Sequence, residues 1–291
     1  MQPVVEYRDQ PNDMRLGMCM PLTIQPDVVH QACDFEIDDW RVPALWRMEE
    51  KHFWHAARNA WIIKALAQYL PTASGKVLDV GCGSGAVARA LATAGYEVSG
   101  VDTAERLVRR AHIRVPQAHF VCGDVACLPA SRRGPFDAIG FFDVLEHLEE
   151  PNTLIETALR YARSGTLVIA TVPAQQRLFS IIDHLTGHKR RYDASELAML
   201  LRRVGLDNTH EHGIFRFLVP FIHAARSPAS YQTTSSRPTF KQTSELMTRN
   251  LRVPATPINA VFRAICALEC RYFLQSEGKT GATLLAVGYV P

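Results

Sequence analysis

The sequence predicts an α/β fold: a seven-stranded, mostly parallel sheet with helices on both faces, an N-terminal helical lid and an insertion before the last strand. Three observations carry this expectation. Between 76 and 172, short apolar runs alternate with stretches whose apolar residues recur at helical spacing. One of those runs, Val77–Val80, passes through Gly81, Gly83 and Gly85 straight into a helical stretch that begins at Ala86. A chain of 291 residues with 47% hydrophobic content can bury one large core and still carry appendages. Strand–helix–strand connections of this kind are right-handed almost without exception, so the loops after the strand C-termini gather along one edge. Ligands of such sheets bind at that edge.

Taken in order, residues 1 to about 45 are Pro-rich and aperiodic and read as a loose arm. From Trp46 to Leu70 apolar residues return at helical spacing and stop before Pro71. Strands are predicted at 76–80, 97–101, 118–122, 136–142 and 166–172, and helices at 86–94, 104–113 and 152–163. A helix over 194–203 has Asp193 as its cap candidate and ends at Gly205, and a strand at 207–213 follows. Residues 214–226 are apolar and basic, and 227–257 are rich in Ser, Thr and Pro and read as a surface excursion. A helix near 258–274 and a strand at 283–290 complete the pattern. The resulting division is an arm and lid helix (1–70), a core (71–213 with 281–291) and an insertion (214–280) expected to cap the core's pocket. Its Phe215, Phe217, Phe240, Phe262 and Phe273 either wall that pocket or pack as core.

The glycine run is the most specific signal. Glycine lets a backbone approach a ligand closely and adopt positive φ, and the helix behind it presents free N–H groups. Gly81-x-Gly83-x-x-Ala86 formally fits a dinucleotide fingerprint. Asp79 argues against that reading, because its carboxylate would face a pyrophosphate. A ligand with a positive charge at that point is favoured instead, and S-adenosylmethionine (SAM) has an α-ammonium and a sulfonium. The run Val77–Gly85 closely resembles motif I of the class I SAM-dependent methyltransferases, and the likeness covers about 50–213 and the last strand. It implies a Rossmann-like class I methyltransferase fold with SAM as cofactor, Asp79, Gly81, Gly83 and Gly85 forming its binding loop.

Asp102 ends the second strand 17 residues after Gly85, where an acid accepts hydrogen bonds from both ribose hydroxyls. It is also a cap candidate for the helix from Ala104, and both roles can hold. The resemblance further implies Asp124 beside the adenine amino group and Phe142 along the methionyl end of the cofactor. Upstream, small-molecule methyltransferases with a helix similar to His52–Asn59 use its arginine, here Arg58, against the SAM carboxylate. Phe53 and Trp54 beside it either cover the cofactor or are ordinary core residues.

The methyl acceptor is expected beside the loop after the fourth strand, Asp143-Val144-Leu145-Glu146-His147. This loop resembles the D/E-x-x-E-H element of the ubiquinone-pathway O-methyltransferases and of the RNA 3′-terminal 2′-O-methyltransferases. In both groups the acids and the histidine are linked to a divalent metal. Asp143, Glu146 and His147 would share one face of a helical turn. With His188, comparable in position to a further metal histidine of the RNA enzymes, they form a candidate set for Mg, Mn, Fe or Zn. Two other readings stay open: a metal-free pocket in which His147 is the base, and a structural role for the whole element. Gly187-His188-Lys189-Arg190-Arg191-Tyr192, followed by a leucine-rich helix, resembles bacterial small-molecule and lipid-linked methyltransferases, where an Arg or Tyr could hold an acceptor carboxylate or phosphate; Tyr192 could alternatively be core.

Composition narrows the partners. A formal net charge of +3, with no aromatic stacking platform around the basic run, gives no case for nucleic acid. No stretch has the apolar length of a spanning helix, and weak contact of 214–226 with a membrane surface is the extent of any lipid expectation. The seven cysteines are odd in number and none forms a CxxC pair, which together with the acidic N-terminus fits a cytoplasmic protein. The expected function is methyl transfer to a small molecule, O-methylation favoured, in specialised-metabolite, glycan or lipid-precursor synthesis. An RNA 2′-O-methyltransferase-like enzyme is the runner-up. A dehydrogenase or a non-catalytic SAM-fold protein ranks below. The oligomeric state stays open, a homodimer being compatible with the chain.

Overall fold

Aliphatic and β-branched runs make the strands, and amphipathic stretches between them make the helices, in a computed structural model. It describes residues 5–6, 41–70, 74–128, 134–225, 246, 248, 251–272 and 280–291. Most of the expected arm and most of the 227–257 excursion lie outside these residues, as do Phe240 and Phe273. The elements in chain order are β1 (Val5–Glu6), α1 (Arg41–Lys51), α2 (Phe53–Tyr69), β2 (Lys76–Val80), α3 (Ala86–Thr93), β3 (Glu97–Asp102), α4 (Glu105–Arg114) and β4 (His119–Cys122). They continue with β5 (Ala138–Phe142), α5 (Pro151–Leu159), β6 (Leu167–Pro173), α6 (Ile181–Leu185), α7 (Ala194–Arg203), β7 (Asp207–Ile214), α8 (Val219–Ala225), α9 (Thr256–Tyr272) and β8 (Thr283–Tyr289).

The sheet order is β1-β4-β3-β2-β5-β6-β8-β7. Strands β4, β3, β2, β5 and β6 are parallel, while β8 runs antiparallel between β6 and β7. The seven expected strands are therefore present, and the two-residue β1 adds an antiparallel eighth beside β4. The strand order reverses between β2 and β5: from β2 the chain moves outward to β3 and β4, then returns to β5 on the other side. That reversal opens a crevice at the C-terminal ends of β2 and β5.

Two apolar layers hold the sheet. One packs α2, α3 and α4 against one face, with Trp61, Ile62, Leu66, Leu91 and Val108 buried. The other packs α5 and α7 on the opposite face through Ile155, Leu197 and Leu201. A single helix expected over Trp46–Leu70 is divided at His52, whose backbone is extended (φ −73, ψ 134). There the His52 imidazole accepts the Trp54 amide at 3.1 Å and starts a second helix. Leu70 is also extended, as a residue before proline must be. Helix α7 begins in the expected way, with Asp193 and Glu196 forming a capping box.

The described part of the insertion is built onto α2. Trp54 stacks on Phe215 at 3.9 Å, and Trp61 meets the same ring edge-on at 4.2 Å. Phe53 packs on Phe262 of α9 at 4.9 Å. Asn259 of α9 accepts the Phe53 amide at 2.9 Å and donates to the Lys51 carbonyl at 2.8 Å. For Phe53, Trp54, Phe215 and Phe262 the core alternative is thus the observed one.

Candidate active site

At the end of β2 the backbone turns sharply. Gly81, Gly83 and Gly85 have φ of +75°, +52° and +76°. At Gly81 the positive φ coincides with crowding, since a Cβ would stand 2.6 Å from Val144 Cγ2. At Gly83 nothing lies within 4 Å of where a Cβ would project, so the backbone there faces open space. The turn is tied to β3: Gly81 N–H donates to Val101 O at 2.8 Å, and Gly83 N–H donates to Asp102 Oδ2 at 2.8 Å. The other Asp102 oxygen accepts the Ala104 amide at 2.8 Å; Ala104 is itself the N-cap residue of α4 and no side chain caps that helix, so Asp102 braces the approach to α4 without capping it. Burial raises the Asp102 pKa, and these two amide bonds oppose the rise.

Asp79 has a different environment. It is 1% exposed, and among the described residues neither carboxylate oxygen has a hydrogen-bond partner. Burial raises its pKa from 3.8 to about 7; Arg58 opposes the shift and Asp102 adds to it. Arg58, 7% exposed, donates from Nη1 to Asp143 Oδ2. Asp143 has φ +55° and accepts the Thr171 hydroxyl at 3.0 Å through its other oxygen. Asp124 lies exposed at the end of β4 and caps the turn that follows, accepting the Ala126 amide at 2.7 Å. Phe142 is buried with its ring over Gly140, in the layer shared with α2 and α3. Outside the glycine turn, Arg114 Nη1 donates to Glu49 Oε2 at 2.7 Å and to Ser84 Oγ at 2.8 Å, which straps α1 to the turn.

Across the crevice, the loop after β5 forms a single 3₁₀ turn, Leu145–His147. Asp143 precedes that turn in a left-handed conformation, so the expected shared helical face of Asp143, Glu146 and His147 is not formed. Glu146, His147 and His188 do converge, with one donor atom from each lying within 4.8 Å of the others. Asp143 is absent from this group because Arg58 and Thr171 hold its carboxylate. The sequence-predicted four-residue set is therefore reduced to three.

Two chain segments are stitched together to make the cluster. Lys189 N–H donates to Glu146 O at 2.7 Å, and His147 Nδ1 lies 3.2 Å from Gly187 O. The His147 and His188 rings meet edge-to-face at 4.8 Å. His188 Nε2 is 3.9 Å from Glu146 Oε1. Glu146 is 1% exposed and its Oε2 has no hydrogen-bond partner among the described residues. Burial, with Asp143 nearby, pushes its pKa well up. Burial, then His188, lowers the His147 pKa to about 4, so its imidazole is neutral at pH 7.

The basic run is consumed by the protein itself. Arg191 is 7% exposed and bonds Asp183 through Nε at 2.8 Å and Nη2 at 2.5 Å. Arg190 donates to the Leu148 and Glu149 carbonyls, and Lys189 pairs with Glu149. Tyr192 donates its hydroxyl to Leu145 O at 3.1 Å from within the core. Arg191 and Tyr192 are therefore framework, not ligands for an acceptor phosphate.

A family model described as a methyltransferase domain matches residues 53–211. The chain belongs to the class I SAM-dependent methyltransferases. It is 28% identical over 162 residues to a ubiquinone biosynthesis O-methyltransferase of Albidiferax ferrireducens, covering 50% of this chain and 64% of that one. To the enzyme of the same name from Thiobacillus denitrificans it is 26% identical, covering 50% of this chain and 69% of that one. Among solved structures, the methyltransferase bound to the Trm112 methyltransferase activator of Haloferax volcanii superposes with a TM-score of 0.52 at 19% identity, over 87% and 96% of the two chains. The cofactor of this family is SAM, and the donor set fits it, since the unpartnered Asp79 carboxylate suits a cationic group.

The methyltransferase site also uses residues that sequence reasoning passed over. Asp183 is buried beneath His188, and Thr171 and Glu49 fix Asp143 and Ser84. Only Asp183 left a signal: Ser180-x-x-Asp183 has the spacing of a capping box, and the box is formed.

Proposed function

We propose that this methyltransferase transfers the SAM methyl group to a hydroxyl oxygen of a small molecule, with Glu146, His147 and His188 holding a divalent cation at the acceptor. In this reading Asp79 faces the SAM ammonium, Arg58 its carboxylate, Asp102 the ribose and Asp124 the adenine amino group. Gly81, Gly83 and Gly85 bring the backbone close, Phe142 backs the methionyl end, and the 214–280 insertion caps the acceptor. SAM supplies an electrophilic methyl group on a positively charged sulfur.

The observation that carries the acceptor side is the convergence of three donors within 4.8 Å at a largely buried point. A buried glutamate with an unpartnered oxygen is costly by itself. Beside a cation it ionises, and the neutral His147 already has the protonation state a ligand needs. A divalent ion bound there contributes Lewis acidity toward an acceptor hydroxyl. His147 alone is a poor general base for a hydroxyl, because an effective base has a pKa near the working pH and that of His147 is about 4. Alignment of acceptor and methyl remains the larger part of the work, about 7–11 kcal/mol where positioning is good. The internal use of Lys189, Arg190 and Arg191 favours a small acceptor over RNA.

The test is titration of the chelated protein with Mn²⁺, followed by turnover of a catechol and its monohydroxy analogue. Binding abolished by Glu146→Gln, with catechol turnover restored by the ion, is expected. Full turnover after chelation that is then lost in His147→Ala would instead make His147 the base.

A further inference from the structure

We infer that Asp183 is the positioning residue of the acceptor cluster: it fixes the tautomer and direction of His188. The inference rests on the reading of Glu146, His147 and His188 as the acceptor-activating group. Asp183 is 1% exposed and sits at the third position of α6. Its Oδ2 accepts the Ser180 amide at 2.8 Å and the Ser180 hydroxyl at 2.9 Å. Its Oδ1 accepts both Arg191 contacts and lies 3.2 Å from His188 Nδ1. An arginine fork and two further donors mark it as a carboxylate, which only accepts hydrogen bonds. The proton in the contact with His188 therefore belongs to the imidazole, on Nδ1.

A neutral His188 with Nδ1 protonated has its lone pair on Nε2. That is the nitrogen 3.9 Å from Glu146 Oε1. Histidine ligands are commonly set this way, with the distal N–H given to a carboxylate that orients the ring and raises its basicity. Arg191 matters only indirectly, by keeping Asp183 charged and still. The Asp183–Arg191 pair explains why a motif with three consecutive cations ends with one of them facing inward.

The experiment is nitrogen NMR of histidine-labelled protein with Mn²⁺ titration of the same samples. In the wild type, His188 should carry its proton on Nδ1. In Asp183→Ala the acceptor for Nδ1–H is removed, so the share of His188 protonated on Nε2 should rise and Mn²⁺ affinity should fall about 10–100-fold. In a His188→Ala background the same substitution should change Mn²⁺ affinity less than about twofold, because coupled residues are non-additive. A wild-type His188 protonated on Nε2 overturns the inference even where Asp183→Ala fails to fold. So does an equal loss of affinity in both backgrounds, which would make Asp183 merely structural. Wild-type protein that binds no Mn²⁺ would end the cation reading, while the tautomer would still decide the role of Asp183.

Discussion

The two loops facing each other across the β2/β5 crevice are built on opposite plans. The glycine turn after β2 is made of backbone: its amides bond Val101 O and Asp102, and its partners lie within about two dozen residues. The loop after β5 is made of side chains, and its cluster is completed from 183–191, some 40 residues further on. The acids differ in the same way. Asp102 has both oxygens occupied by amides, whereas Asp79 and Glu146 are buried with oxygens unpartnered among the described residues. A carboxylate satisfied by its own fold serves as a brace. One left unsatisfied in the interior marks where a cationic partner lowers the free energy.

That contrast can be broken by measurement. The largest effect is expected for Glu146→Gln, which should reduce turnover by about 10²–10⁴-fold and leave affinity for demethylated SAM within about twofold. Calorimetry and single-turnover assays would check both, and a comparable loss of SAM affinity would erase the division between the loops. Next is Asp79→Asn. Breaking a buried ion pair costs about 3–5 kcal/mol, so SAM should bind about 10²–10⁴-fold more weakly. The ligand-free protein, relieved of a buried carboxylate, should melt at a higher temperature.

Asp79 also fixes a pH dependence. Its folded pKa of about 7 lies above the usual 3.8, so the folded protein retains a proton that the unfolded chain releases. Stability of the ligand-free protein should be highest below pH 4, fall as pH rises to about 7 and then level off as far as this group is concerned. SAM affinity should rise across the same window, since its ammonium favours the ionised form. Asp79→Asn should flatten both curves. A smaller effect is expected for Asp102→Ala. Loss of the hydrogen bonds to the Gly83 and Ala104 amides costs about 1 kcal/mol each, and binding of demethylated SAM should weaken about tenfold as the turn loosens. The smallest is Tyr192→Phe, about 1 kcal/mol of stability from the bond to Leu145 O, with no change in either ligand.

The same difference governs what could be read in the sequence. The individual strands and helices and the glycine turn are set by local sequence, and patterns of period 2 and 3.6 report those directly, although the pairing of β2 with β5 and of β6 with β8 is long-range. Segments 143–147 and 183–191 are joined by the hydrogen bond from Lys189 N–H to Glu146 O and by the His147–Gly187 contact, which no periodicity encodes. His188 was legible only through resemblance, and Asp183 only as half of a capping box. The expected helical face of Asp143 failed because a strand that ends in a left-handed residue starts its helical turn later. The inward turn of Arg191 was not legible, because charge in a sequence carries no sign of direction. A buried carboxylate eight residues earlier turned it inward.

The position of β8 has a further consequence. The family match ends at residue 211, yet among the described residues β7 pairs only with β8, and β8 also covers the edge of β6. During synthesis β7 therefore has no strand to join until some 70 further residues have been made. Until then two sheet edges stand open to other chains. The long stretch before β8 thus sets a waiting time for the domain, and its length is a variable of folding yield.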